Sequence, residues 1–285
     1  MHLKDINIRD PFVLFENGKY YMYGTRAKDF GHLTGGFDVY VSDDLANWSD
    51  PIPCFDSEKF GLNRSVNWAP EVHKYGEAYY MFASFTKENG LRGTYSLKAE
   101  SPLGPFVPHS KGALTPFEWE CIDGTLYVDQ QGNPYLVFCH EHTQVIDGTV
   151  CFIRLSDDLS ESVGEPIMLF KGSSPYYVAE KPKGDHYITD GPFMYRTTGG
   201  ELLMVWSTFI DHKYAQCVAR SDNGEIDGNF IHLPPIITND GGHGMIFNGK
   251  EGLTLTFHTP NQTNYERPTF RKIRDTGDSI EIESC

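Results

Sequence analysis

Five residues of this chain have types and spacing that could do chemistry together: Asp10, Glu71, Asp123, Asp190 and His243. They recur roughly every 50 to 70 residues, and each opens the same local pattern. Three aspartates and one glutamate brought to one place repel each other, so at least one must carry a raised pKa. Such a set serves either a cation or acid/base chemistry. Hydrolysis of a glycosidic bond needs this kind of set, with one ionised carboxylate to activate water and one protonated carboxyl to donate to the leaving oxygen. Singly, each residue also has a structural role on offer. Asp-Gly at 123–124 and 190–191 is a turn signal, and Asp10-Pro11 can open a strand. The turn reading is weakened because each hairpin has its own turn further on, and the coincidence of all five carries the chemical one.

The elements that must position them form a repeat of a short β-type run, a turn, and a second run rich in aromatics. It appears as Asp10 to Phe15, a turn at Asn17-Gly18, then Lys19 to Thr25. It returns as Pro70 to Tyr75, Gly76-Glu77 and Ala78 to Ser84, and then as Asp123 to Val128, Gly132-Asn133 and Pro134 to His140. The last two copies are Asp190 to Tyr195, Gly199-Gly200 and Glu201 to Ser207, and His243 to Phe247, Gly249 and Leu253 to His258. Third strands are expected at Phe37 to Ser42, Gly148 to Leu155 and Ala215 to Asp222; the first two run into the same Ser-Asp-Asp-Leu, at 42–45 and 156–159. Two further strands per hairpin make four-stranded blades, and radial repetition of blades leaves short edges around a central channel. The expectation is an all-β, five-bladed β-propeller, a single catalytic domain over residues 1–285, with the lead residues converging on the channel. A β-sandwich with accidental echoes is the competing architecture.

Composition agrees. The chain is 14% aromatic, with 28 glycines and 17 prolines, the mixture that strands and tight turns want. Its 39 acidic against 24 basic residues give a formal charge of -15. That argues against a nucleic-acid or anionic-membrane partner, each of which needs clustered Lys and Arg, and leaves a neutral sugar polymer indifferent. The six cysteines form no C-x-x-C pair, and several, such as Cys139 in Leu136-Val137-Phe138-Cys139, sit in apolar strand runs as small hydrophobes. With no apolar signal core near Met1 and no run of membrane-spanning length, the expected location is cytoplasmic.

Ile8-Arg9-Asp10-Pro11-Phe12, Trp68-Ala69-Pro70-Glu71-Val72, Ile122-Asp123-Gly124, Asp190-Gly191-Pro192 and Gly242-His243-Gly244 resemble the successive blade motifs of glycoside hydrolase family 43. The likeness runs over nearly the whole chain, with the motifs in family order. It implies a five-bladed propeller and an inverting mechanism, with α-L-arabinofuranosidase, β-xylosidase or arabinanase activity. It implies Asp10 as the general base and Asp123 as the residue that orients the acid and tunes its pKa. The family's fourth motif opens Glu-Gly-Pro, where that Glu is the acid; here Asp190 stands in its place, one methylene shorter. Glu141, after His140 at the far end of the third hairpin, lies beside Asp123 by antiparallel pairing and is the second candidate. The acid is therefore Asp190 or Glu141.

The blade-five position, His243, implies a metal ion or water cluster in the channel; a calcium with mostly water ligands fits a hard cation, and a histidine closing a hydrogen-bond network fits equally. No cofactor is required for the chemistry. Trp68, Glu71, His258 and Arg267 are candidate sugar-binding residues, with Trp119 as a second stacking candidate; Arg267 has local pairing to Glu266 as its other reading. The expected substrate is arabinoxylan, arabinan or a xylo-oligosaccharide. The expected activity is exo-acting release of pentose, foremost as an α-L-arabinofuranosidase, with β-xylosidase, arabinanase or a non-catalytic sugar-binding propeller as alternatives.

Overall fold

The computed structural model describes residues 1–29, 35–178 and 184–283. Their strands form five four-stranded antiparallel sheets, each a simple meander of consecutive strands. Blade one is Ile8–Glu16, Lys19–Arg26, Gly36–Ser42 and Ile52–Asp56, and blade two is Asn67–Tyr75, Ala78–Thr86, Arg92–Ala99 and Val107–Pro108. Blade three is Cys121–Val128, Pro134–His140, Thr149–Leu155 and Ser162–Lys171. Blade four is Asp190–Arg196, Leu202–Ile210, Lys213–Ser221 and Phe230–Ile237, and blade five is Gly242–Gly249, Gly252–Thr259, Arg267–Asp275 and Ile280–Ile282. The five first strands pack on one another in turn around the axis, the last against the first. All five expected hairpins and the three expected third strands are present, and the architecture is the five-bladed β-propeller.

The second strands explain the aromatic richness. Ala78–Thr86 and Leu202–Ile210 are buried along almost their whole length, because each blade face lies against a neighbouring blade. Apolar residues are therefore needed on both sides of the strand, and alternation disappears. Phe37 and Phe55 of blade one meet Phe85 of blade two edge-on, at 5.9 and 5.6 Å. Phe170 of blade three packs on Trp206 of blade four at 5.0 Å, and Phe247 of blade five on Tyr20 of blade one at 6.0 Å. The ring closes without exchanging a strand. Asn7 Nδ2 donates to the Glu266 carbonyl at 2.8 Å, and Arg267 Nε donates to the Lys4 carbonyl at 2.9 Å. Cys54, Cys121, Cys139, Cys151 and Cys217 are free and buried, as apolar strand positions require; Cys285 lies outside the described residues. No helix among the described residues is long and apolar enough to cross a membrane.

One feature of the inner strands decides where the functional side chains go. Each carries a β-bulge at its channel-mouth end, between Arg9 and Phe12, Trp68 and Glu71, Asp190 and Phe193, and Gly242 and Met245, and in blade three opposite Val137 and Cys139. One residue of each bulge has positive φ: Asp10 (55°), Ala69 (47°), Asp123 (58°), Gly191 (49°) and His243 (53°). These five are the equivalent positions. The expected equivalence of all five lead residues is thereby corrected. Asp10, Asp123 and His243 occupy the bulge position, Glu71 lies two residues beyond it, and Asp190 lies one residue before it. Counting back from the hairpin turn does not find the bulge, because a bulge puts two residues opposite one.

Candidate active site

Bulges bend strands and re-aim side chains, and here they turn Asp10, Asp123 and His243 towards one another. All three are nearly inaccessible to solvent. His243 Nδ1 stands 3.1 Å from Asp10 Oδ1 and 3.8 Å from Asp123 Oδ2. At blade four the left-handed position is filled by glycine for a second reason: a Cβ on Gly191 would fall 2.6 Å from the His243 ring. The side chain of that strand is supplied instead by Asp190, one residue outward, in the register position that Arg9 and Trp68 hold in blades one and two. A cavity of about 380 Å³ opens over these groups, lined by Arg9, Asp10, Trp68, Asp123, Glu141 and Asp190 among others. That volume is on the scale of a small-molecule site.

Asp10 sits in a cradle built for a carboxylate. The Thr25 hydroxyl accepts the Ala69 N–H at 2.7 Å, so its own proton points to Asp10 Oδ2, also at 2.7 Å. His258 Nδ1 accepts the Asp10 N–H at 3.1 Å and its Nε2 donates to Asn261 Oδ1 at 3.2 Å, which makes this ring neutral. Burial and the Arg9 charge both disfavour protonating His258, and its pKa falls to about 3. Arg9 Nε lies 3.4 Å from Asp10 Oδ1, and its Nη1 lies 3.4 Å from the buried Glu266. Burial alone would raise the Asp10 pKa. His243, Arg9 and the Thr25 hydroxyl outweigh it and bring the group down to about 2. His243 shows the mirror effect: burial lowers its pKa, and Asp10, Asp123, Asp190 and Glu71 overcome that and raise it.

The other side of the cavity is crowded with acids. Burial pushes Asp123 up to about 7 against the pull of His243, and the charges of Asp190 and Asp10 add to the rise. Asp123 Oδ2 accepts the Gly191 N–H at 3.1 Å, which ties it to the strand of Asp190. Burial, then the charge of Glu141, raise Asp190, whose Oδ2 accepts the Tyr214 hydroxyl at 3.1 Å. Glu141 is placed as antiparallel pairing predicts, its N–H bonded to the Glu120 carbonyl across the hairpin end. Its Oε2 stands 2.8 Å from Arg92 Nη2; burial raises its pKa and Arg92 holds the rise back. Arg92 also pairs with Glu120 and lies over the Trp68 ring, 5.0 Å from its centre.

The structure thus brings Asp10, Asp123, Glu141, Asp190, His243 and Trp68 to one cavity. Four expected sugar-contacting residues do not line it. His258 is fully buried beneath Asp10, where its Nδ1 accepts the Asp10 N–H. Glu71 does not line the cavity; it pairs with His73 at 3.3 Å and reaches the site through its charge on His243. Arg267 donates to the Lys4 and Glu266 carbonyls, so its guanidinium is spent on closing the ring. Trp119 stacks on His140 at 4.2 Å and is absent from the cavity lining. Sequence reasoning missed Arg92, Tyr214 and Asn261, and quoted Arg9 without giving it a role. Arg9 stands beside Asp10 in the first motif; the other three belong to strand ends and loops with no local signal.

The channel residues do not fit a directly ligated cation. His243 Nδ1 faces Asp10 and the ring is itself drawn towards the charged form. Among the described residues no group of three or more His, Cys, Asp or Glu is arranged to hold a metal.

Compared with known families, the sequence matches Glycosyl hydrolases family 43 over residues 5–276. The chain belongs to that family. It is a glycoside hydrolase. Among solved structures it is similar to an endo-arabinase from Bacteroides thetaiotaomicron, with 36% identity, a TM-score of 0.87 and 95% of each chain covered. The fold is also that of an endo-1,4-beta-xylanase from the same organism, at 23% identity and TM-score 0.81 over 98% of this chain and 95% of that one. An alpha-L-arabinofuranosidase from Lactobacillus brevis shares it at 14% identity and TM-score 0.74, with 100% of both chains covered. No curated protein sequence gives a significant match.

Proposed function

We propose that this family 43 hydrolase cleaves α-L-arabinofuranosidic linkages with inversion, releasing terminal pentose from arabinan or arabinoxylan. One observation carries the reading: a single small cavity holds a carboxylate drawn down to about 2 beside carboxyls pushed upward. Pairs of acids whose environments drive their pKa values apart mark the base and the acid of a hydrolase.

Asp10 is the base. Ionised, and with Oδ2 held by the Thr25 hydroxyl, it takes a proton from a water that attacks the anomeric carbon as the leaving oxygen departs from the opposite face. Asp190 is the acid. Among the described residues the one side chain that donates to it is the Tyr214 hydroxyl, whereas Glu141 is held in an ion pair that opposes protonation. Asp123 lies against the strand of Asp190, and the surrounding negative charge of Asp123 and Glu141 keeps the proton on Asp190 until the leaving oxygen takes it. Glu141 contributes charge that raises Asp190, and with Arg92, Trp68 and Asn261 it borders the sugar.

The second reading is endo-action on arabinan, favoured by the 36% identity to an endo-arabinase. Product analysis separates the two. Linear arabinan digested to arabinose alone supports exo-action, and early release of oligosaccharides replaces it with endo-action. Proton NMR of fresh product should show the inverted anomer. Turnover of a nitrophenyl xyloside but not the arabinoside makes the chain a β-xylosidase. Binding of either sugar without turnover makes it a sugar-binding propeller.

A further inference from the structure

The five bulge N–H groups form a belt around the channel, and one link differs. In four blades the residue paired opposite the one before the bulge is Thr25, Ser84, Ser207 or His258. Each accepts the bulge N–H of the next blade: Thr25 from Ala69 at 2.7 Å, Ser84 from Asp123 at 3.0 Å, Ser207 from His243 at 2.7 Å, and His258 from Asp10 at 3.1 Å. The blade-three counterpart, paired with Ile122, is Cys139. The N–H that would fall to it, that of Gly191, goes instead to Asp123 Oδ2 at 3.1 Å. Cys139 is completely buried, and its thiol engages the Thr189 side chain.

We infer that Cys139 is a positioning residue for the acid pair: by putting a weakly accepting thiol where the other blades have a strong acceptor, it leaves the Gly191 N–H to clamp the Asp123 carboxylate against the strand of Asp190. Sulfur is a poor acceptor, while an ionised carboxylate forms the stronger, charge-assisted bond to a backbone N–H. The clamp has two effects. It fixes where Asp123 sits relative to Asp190. It also favours the ionised form of Asp123, which must stay charged to keep the proton on Asp190.

The inference rests on the proposed roles of Asp123 and Asp190, and its test reads Asp123 without needing turnover. Cys139→Ser supplies a hydroxyl of nearly the same size, which can take the Gly191 N–H. The expected result, followed by NMR of the carboxyl-labelled protein, is an Asp123 titration displaced upward by about one pH unit relative to wild type. With Asp123 protonated earlier, the acid loses its proton at lower pH, and the basic limb of the pH–rate profile moves in the acidic direction. Cys139→Ala removes the thiol and offers no acceptor, so Asp123 keeps its clamp and titrates as in wild type. An Ala variant that shifts Asp123 as far as the Ser variant overturns the inference, because the thiol itself would then organise the carboxylate. So does a folded Ser variant in which Asp123 does not move. Should Ser prevent folding, Cys139→Thr supplies the same hydroxyl and is read against the Ala variant by the same criteria. If Asp123 shifts as expected while no sugar is hydrolysed, the proposed activity fails and the positioning role stands.

Discussion

The two walls of the cavity treat the same functional group in opposite ways. On the blade-one wall, Asp10 meets His243, Arg9 and a hydroxyl whose proton is directed at it, and its pKa falls to about 2. On the wall of blades three and four, Asp123, Asp190 and Glu141 are buried with other acids near each of them, and all three rise. Burial pushes every one of them upward, so burial does not make the difference. The difference lies in where the cations and the directed donors stand. Arg9 and His243 stand nearest Asp10, and His243 meets Asp123 only at 3.8 Å. Of the acids opposite, Glu141 has Arg92, while the hydrogen bonds to Asp123 and Asp190 come from a backbone N–H and a phenol.

The sharpest way to break this contrast is to remove the base. Asp10→Asn keeps the shape of the side chain but cannot take a proton from water. The expected loss in kcat on an arabinoside is on the order of 10² to 10⁴, with the melting temperature lowered by a few degrees at neutral pH because His243 and Arg9 lose their charge partner. Wild-type turnover in this variant would take Asp10 out of the mechanism and leave its cradle as scaffold only.

The acid wall is tested by comparing substrates. Asp190→Asn should slow a natural arabinoside by about 10²-fold or more and a nitrophenyl arabinoside far less, because a good leaving group needs little protonation. The basic limb of its pH profile should flatten. Glu141→Gln should weaken both substrates alike, since it removes a charge beside the acid and half of the Arg92 pair. If the substrate split belongs to Glu141→Gln instead, the acid is Glu141 and Asp190 is a binder.

The smallest expected effect concerns stability. An acid with a folded pKa raised above its unfolded value destabilises the fold wherever it must ionise. Its penalty is absent below about 4, grows as pH rises, and is complete above about 7 for Asp123. Asp123→Asn should therefore raise the melting temperature by a few degrees at pH 8, and by much less at pH 4.5, while impairing catalysis. Asp10 has the opposite sign. Its depressed pKa stabilises the fold above about 4, and that contribution is lost as pH falls through about 2. An Asp123→Asn protein less stable than wild type at pH 8 would show that the Gly191 clamp outweighs the crowding of charge.

The sequence by itself determined the blades. Asn17-Gly18, Gly132-Asn133 and Gly199-Gly200 set hairpins within a few residues of themselves, and five such hairpins in series leave a propeller as the way to bury both faces of every sheet. Asp10, Asp123 and His243 were legible because they lie in the inner strands at a repeating place. Glu141 was legible because antiparallel pairing carries it back beside Asp123. The tertiary structure alone decided the rest. The bulges, which no residue type announces, moved Glu71 out of the cavity and set Asp190 one position outward. Partners distant along the chain made Glu266 the neighbour of Arg9 and Arg92 the neighbour of Glu141. Cys139 read as one more small hydrophobe in an apolar strand. Only the ring shows that it stands where four other blades place a hydrogen-bond acceptor, because that equivalence exists between blades, across a gap that spacing along the chain does not measure.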